Sequence, residues 1–317
     1  GLEKVRFLTN ESAFELTELP ASLTVLGGRY IALEIAQLFA RLGTRVTVLQ
    51  RSARILPDQP AELTDALTAF LRDEGIGIVT DVTVTRAHES AGECVIEASV
   101  AGERRNFRSE RLLLATGRQP NTENLGLQRA GIAVDHVGFV RVDGTLATAV
   151  PTVFAAGDVI GGAMFVYTAA YEGALAAENA LSSVRRQRDY TALPWVVFTD
   201  PQVAGVGLDL AEAQARGLDA EAVTLPLSQV PRAIAARDVR GFIQLVRDRR
   251  SDSLVGARVL APEGSELLME VSLAIRHQIT VREIASAFHP YLTLSEGIKL
   301  AALSFGKDVR KLSCCAA

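Results

Sequence analysis

The chain has 317 residues, with Lys+Arg 33 against Asp+Glu 37, a formal net charge of −4, and a composition 48% hydrophobic and 22% charged. At roughly 150 residues per domain that length predicts two or three domains, and the ordinary composition excludes a collagen-like or wholly disordered chain. The slight negative balance gives no global reason to expect a nucleic-acid or anionic-membrane partner.

No apolar stretch approaches the run of about 20 residues that spans a bilayer, and Gly1 to Asn10 does not read as a secretory signal. The cysteines are Cys94, Cys314 and Cys315, an odd number that argues against a disulfide framework and for a reducing compartment, with the cytoplasm expected. Cys94 lies in an apolar alternating segment and is expected in the core. The cluster Arg185, Arg186 and Arg188 is expected to solvate a helix end.

Along the chain, Leu23 to Leu26 reads as a buried strand, Tyr30 to Leu42 as a helix capped by Gly43, and Arg45 to Leu49 as a second strand. Such a βαβ unit places the turn Gly27 to Arg29 at the carboxyl edge of a parallel sheet, where ligands bind. A helix from about Pro60 to Asp73, a strand around Ile76 to Val79, hairpin strands at Glu93 to Val100 and Glu103 to Phe107, and a run at Leu112 to Ala115 follow. Next come a strand at Thr152 to Ala155, the turn Ala156-Gly157-Asp158 and a helix from Tyr167 to Leu181. Strands at Val196 to Thr199, Phe242 to Val246 and Leu254 to Leu260 then precede helices around Glu263 to His277, Val281 to Ala287 and Ser295 to Phe305. The expected organisation is α/β: a Rossmann-like nucleotide domain at 21–118, a further piece at 119–190, and an α+β domain at 191–317.

Gly27-Gly28-Arg29-Tyr30-Ile31-Ala32 fits the pattern G-x-G-x-x-G/A at its first and last positions and carries Arg29 at the middle one. Following a strand and opening a helix, such a turn can hold a diphosphate on backbone N–H groups and the positive helix end; the plain alternative is a tight turn without a ligand. Where a site for NAD carries an acid, this chain has Gln50, followed by Arg51 and Arg54. Guanidinium groups pair with a 2'-phosphate and an acid would repel it, which favours NADPH; alternatively, either arginine is an ordinary loop residue. The adjacent thiols Cys314 and Cys315 offer two soft donors to a thiophilic metal, with Lys307, Arg310 and Lys311 favouring thiolate, or are incidental.

Together these segments resemble the pyridine-nucleotide disulfide oxidoreductases over essentially the whole chain, and within them the mercuric-reductase branch. Leu26-Gly27-Gly28 with Tyr30 to Glu34 resembles the family's NADPH turn, Ala115-Thr116-Gly117-Arg118 an inter-domain strand, Ala155-Ala156-Gly157-Asp158 the second flavin motif, and the stretch from Phe198 to beyond Glu296 the dimerisation domain. Relatives acting on glutathione or lipoamide carry His-x-His-Pro-Thr-x-x-Glu. Aligned on Glu296, this chain has Tyr291 at the second histidine and Leu292 at the proline, with His289 at the first histidine. A phenol of pKa about 10 is a poor proton shuttle at neutral pH, but its oxygen can sit beside a metal thiolate.

The resemblance implies that Asp158 bonds the ribitol of FAD, that Tyr30 covers the flavin and moves aside for nicotinamide, and that Glu34 contacts the nicotinamide amide. It further implies that Cys314 and Cys315 of one subunit of a homodimer, with Tyr291, pass Hg(II), the substrate, to a redox cysteine pair on the other. The family's N-terminal flavin-binding βαβ unit and Cys-x4-Cys are not found ahead of Gly27, and residues 1–20 are expected to be the tail of that flavin region. The remaining alternatives are a reductase for a low-molecular-weight disulfide and a non-catalytic, dimerising Hg(II)-binding protein.

Overall fold

The computed structural model describes residues 1–308, and these form two compact units. One joins Gly1–Thr116 to the stretch from Thr191 onward, and the other is Gly117–Tyr190. The first stretch carries strands β1 (Phe7–Leu8), β2 (Ser22–Leu26), β3 (Arg45–Leu49), β4 (Gly77–Val79), β5 (Val82–Ser90), β6 (Glu93–Val100), β7 (Glu103–Ser109) and β8 (Arg111–Leu114), with helices α1 (Tyr30–Arg41) and α2 (Ala61–Asp73). A parallel sheet in the order β1-β8-β2-β3-β4 results. Every residue of β2 is buried, as expected of a central strand covered on both faces. Leu33, Ala36 and Phe39 of α1, and Leu63, Leu67 and Leu71 of α2, supply the helical side of its core at the i, i+3/i+4 spacing.

The chain leaves β2 toward β3 on one side, while β8 lies on the other, so the order switches at β2 and opens a crevice beyond its carboxyl end. Between β4 and β8 stands an antiparallel sheet, β5-β6-β7. Its first strand was not expected from the sequence: only Val82 and Ala87 of β5 are buried, and a register shift between Val84 and Arg86 breaks the alternation. Cys94 is a core residue, packed in the cluster with Ile96, Leu26 and Leu112.

The second unit contains α3 (Val166–Leu181) and a small core of Leu146, Leu175 and Ala176. The strand expected at Thr152 to Ala155 is reduced to one bridge, Ala147 to Phe154. Local turns consume the backbone groups there: Thr148 N–H donates to Val153 O at 2.9 Å and Val153 N–H to Val150 O at 2.9 Å. The arginines after α3 are engaged rather than merely solvated. Arg186 pairs with Glu178, and the guanidinium of Arg185 lies 4.9 Å from the Phe154 ring centroid.

From Thr191 the first unit continues with β9 (Trp195–Val197), β10 (Gln202–Gly207), α4 (Leu210–Ala215), β11 (Ala220–Pro226), α5 (Pro231–Ala236), β12 (Phe242–Asp248), β13 (Leu254–Ala261), α6 (Leu268–Arg276), α7 (Val281–Ser286) and α8 (Glu296–Leu303). The strands form an antiparallel sheet, β11-β12-β13-β10-β9. Its core is closed by Val271 and Ile275 of α6, Ile284 of α7 and Ile298 of α8. Capping boxes start α4 at Asp209 and Glu212, and α7 at Thr280 and Glu283. The helix expected from Glu263 begins instead as a 3-10 turn, Gly264–Leu267, because Glu263 is left-handed at φ 53°. Val197, Val203, Phe242 and Leu260 share a core with β2, β3 and α1, so this sheet and the parallel one are packed together. Among the described residues, no helix is long and apolar enough to cross a membrane.

Candidate nucleotide site and its surroundings

At the end of β2 the backbone turns at Gly27, whose φ is 120° and whose N–H donates to Leu49 O at 3.0 Å. A Cβ there would stand 2.2 Å from the carbonyl oxygen of Ala115, so only glycine fits. Gly28 lies against Gln50, 3.0 Å from its Cβ to a side chain built at position 28. Its carbonyl accepts from Leu56 N–H at 2.9 Å, folding the 51–56 loop over the turn. Arg29 departs from the pattern without strain: as N-cap of α1 it has φ −108°, and its side chain turns away to pair with Asp58. No side chain caps the first turn of α1, which leaves the positive helix end for an anion. Ala32 is buried against the sheet.

Gln50 is buried and pinned. Its N–H donates to Val79 O at 2.9 Å and its carbonyl accepts from Val82 N–H at 3.1 Å. Arg51 and Arg54 flank it, both exposed. No acidic side chain stands at the end of β3, and the donor set fits the 2'-phosphate of NADPH.

Tyr30, the first residue of α1, stacks on Trp195 of β9 with ring centroids 6.0 Å apart and planes 6° from parallel. Burial pushes its phenol above the ordinary tyrosine range. One turn on, the Glu34 carboxylate accepts the N–H of Phe198 at 2.8 Å, and burial pushes it up as well. Gln37 exchanges two bonds with Asp200, donating to its carbonyl at 2.8 Å and accepting from its N–H at 2.7 Å. Trp195 and Gln37 were not singled out in the sequence, whereas Tyr30 and Glu34 were; the contacts of all four become visible only when β9 and the 198–200 loop are docked.

In the second unit, Gly117 is open, with φ 148°. Asp158 pairs through Oδ2 with Arg118 at 2.5 Å, and half of its side chain remains exposed. The preceding Gly157 has φ 78° and donates its N–H to Glu172 at 2.6 Å; a Cβ there would press to 3.1 Å from that of Ala169. A tight glycine turn presenting a partly exposed carboxylate fits a polyol such as the ribitol of FAD. Glu172 also accepts the phenol of Tyr190, which burial and this bond push up to about 12.

Tyr291 is 61% exposed and lies three residues beyond Phe288, which is fully exposed. His289 is engaged elsewhere: its Nε2 lies 2.7 Å from Glu270 and its side chain is buried. Glu296 opens α8, buried, with Oε2 lacking a hydrogen-bond partner. Cys314 and Cys315 fall outside the described residues. Among the described residues, no group of three or more His, Cys, Asp or Glu could hold a metal ion.

Residues 1–173 match the pyridine nucleotide-disulphide oxidoreductase family, and residues 193–302 match the dimerisation domain of that family. The chain belongs to this family. Mercuric reductase of Staphylococcus aureus is 40% identical over 316 residues, covering 100% of the chain and 58% of that relative. Mercuric reductase of Streptomyces lividans is 44% identical over 318 residues, covering 100% and 66%. The chain thus spans little more than half the length of several of these relatives, 50% in the case of Bacillus cereus. Among solved structures, the HOCl-induced flavoprotein disulfide reductase RclA from Escherichia coli superimposes with a TM-score of 0.88 at 29% identity, covering 96% of the chain and 69% of that protein. LpdA from Mycobacterium tuberculosis gives 0.87 at 27% identity, with 95% and 65% covered. The α/β nucleotide domain, the flavin-related piece and the α+β dimerisation domain read from the sequence are those of this oxidoreductase family.

Proposed function

We propose that the chain is the NADPH-binding, part-flavin and dimerising portion of a cytoplasmic reductase that converts Hg(II) to elemental mercury. The observation that carries the nucleotide half is the uncapped start of α1 at a glycine turn, bordered by Gln50, Arg51 and Arg54 in place of an acid. Residues 27–32 would hold the diphosphate, and Arg51 and Arg54 the 2'-phosphate, while Asp158 would orient FAD. NADPH and FAD, when bound, supply the hydride and its passage toward mercury held by thiolates. Tyr291 at the position of a catalytic histidine, together with relatives named mercuric reductase, supports mercury over a proton-requiring disulfide substrate. Cys314 and Cys315 would hand Hg(II) to a redox pair on the partner of a homodimer. Exposed Met269 and Leu273, one turn apart on α6, support that pairing. No Cys-x4-Cys occurs within the 317 residues, so this stretch by itself is expected to reduce little, and to bind NADPH weakly wherever flavin is not there for nicotinamide to stack on.

The likeness to RclA favours one second reading, reduction of a small disulfide; mercury binding decides between them. Calorimetry with Hg(II) is expected to show tight binding that Cys314→Ala/Cys315→Ala abolishes, and binding indifferent to the tail would favour the disulfide. Calorimetry with NADPH and NADH tests the nucleotide half. Arg51→Glu/Arg54→Glu is expected to weaken NADPH about tenfold or more, one or two charge-assisted bonds, and NADH less than about twofold. Equal losses for both nucleotides would refute the assignment.

A further inference from the structure

Tyr30 is clamped from outside its own helix. In the antiparallel sheet, Gly205 of β10 pairs with Trp195 of β9 on one side and with Arg258 of β13 on the other, so the three form one row on one face. The missing side chain in the middle makes room for the indole, because a Cβ on Gly205 would stand 2.5 Å from Trp195 Cζ2. Trp195 therefore touches two groups: the Arg258 guanidinium, centred 5.7 Å from the ring, and the phenol ring of Tyr30, nearly parallel at 6.0 Å.

Arg258 is only 2% exposed. Its Nη1 donates to the carbonyls of Ala257 at 2.9 Å, Gly207 at 3.2 Å and Val206 at 3.3 Å, and its Nη2 to Glu212 at 3.1 Å. A cation held this firmly fixes the indole face on which the phenol rests.

We infer that Arg258 and Trp195 are positioning residues that latch Tyr30 in its resting place, so that nicotinamide binds only after the ring leaves the stack. The inference rests on the proposed reading of residues 27–32 as the NADPH turn and of Tyr30 as the ring that moves aside for nicotinamide, and adds Trp195 and Arg258 as the residues that hold it. A latch lowers apparent affinity by the fraction of molecules in which the ring has already moved. Loosening it should therefore strengthen NADPH binding, which a purely structural role would not do.

Calorimetry on the whole chain with NADPH and with 2',5'-ADP, which lacks nicotinamide, tests this. Trp195→Leu and Arg258→Met are expected to tighten NADPH about three- to tenfold, the span of one aromatic contact, and to leave 2',5'-ADP within about twofold. Trp195→Phe, which keeps a ring beneath Tyr30, should restore the wild-type ratio even if Arg258→Met fails to fold. Trp195 is the single tryptophan, so its emission should also change when NADPH, but not 2',5'-ADP, binds the wild type. Unchanged or weakened NADPH binding in Trp195→Leu, with 2',5'-ADP still bound, would overturn the latch alone. Failure of the wild type to bind either nucleotide would overturn the nucleotide reading and the latch with it.

Discussion

Replacing Gly27 with alanine isolates what the turn demands of the chain. Its φ of 120° is closed to L side chains, and the new Cβ would lie 2.2 Å from Ala115 O and 2.9 Å from its carbonyl carbon. Those atoms are backbone at the end of β8 and cannot rotate away. The conformational penalty is about 1–2 kcal/mol, and forcing an atom into filled space adds about 1–3 kcal/mol. Gly43 supplies the control: its φ of 104° is similarly forbidden, yet nothing lies within 4 Å of its would-be Cβ. With about 2–4 °C lost per kcal/mol in a unit of this size, the added penalty of about 1–3 kcal/mol is expected to make Gly27→Ala melt about 2–12 °C below Gly43→Ala in scanning calorimetry. It should also lose NADPH binding, since the turn must lift off Ala115. Equal melting temperatures for the two variants would refute the close-approach argument, leaving only backbone freedom at Gly27.

The Tyr190 phenol, raised to about 12 by burial and then by its bond to Glu172, is protonated in the folded state where an unfolded tyrosine would ionise. Its contribution is complete below pH about 10 and is lost as pH climbs from about 10 toward 12; thermal melts by circular dichroism should fall across that window and fall less in Tyr190→Phe. A slope identical in both proteins would contradict the assignment. For Cys94, burial pushes the thiol up and only 5% of the residue is exposed. Peptide mapping after iodoacetamide should therefore find it modified at least about 100-fold more slowly in native than in urea-unfolded protein; comparable rates would disprove its place in the core.

The parts of this fold that could be read from sequence are those in which local and tertiary preference agree. Leu23 to Leu26 and Arg45 to Leu49 are short apolar runs around a helix ended by Gly43, and they form β2 and β3 with nearly those limits. β5 escaped because every residue in it except Val82, Val84 and Ala87 is polar or charged and a bulge shifts its register, and β10 because Gln202-Val-Ala-Gly-Val-Gly contains two glycines. One of those, Gly205, is where the indole of Trp195 needs space. The glycine turn, Gln50 and its arginines were visible as a spacing. The Asp58 partner that lets Arg29 replace a glycine lies 29 residues away, a distance no local pattern reports. Trp195 and Arg258 meet only across a sheet whose middle strand was itself unseen.

The flank of α1 has a wider consequence. Glu34 and Gln37 grip Phe198 and Asp200, and Arg41 reaches Glu74 and Asp200, so the helix that begins at the glycine turn is riveted to the antiparallel sheet along its length. An excised 21–116 segment would leave those rivets hanging and strip Tyr30 of the Trp195 ring it rests on. Transplanting this nucleotide module into another scaffold therefore requires carrying β9 and the 198–200 loop with it, although more than 150 residues of sequence separate them from α1.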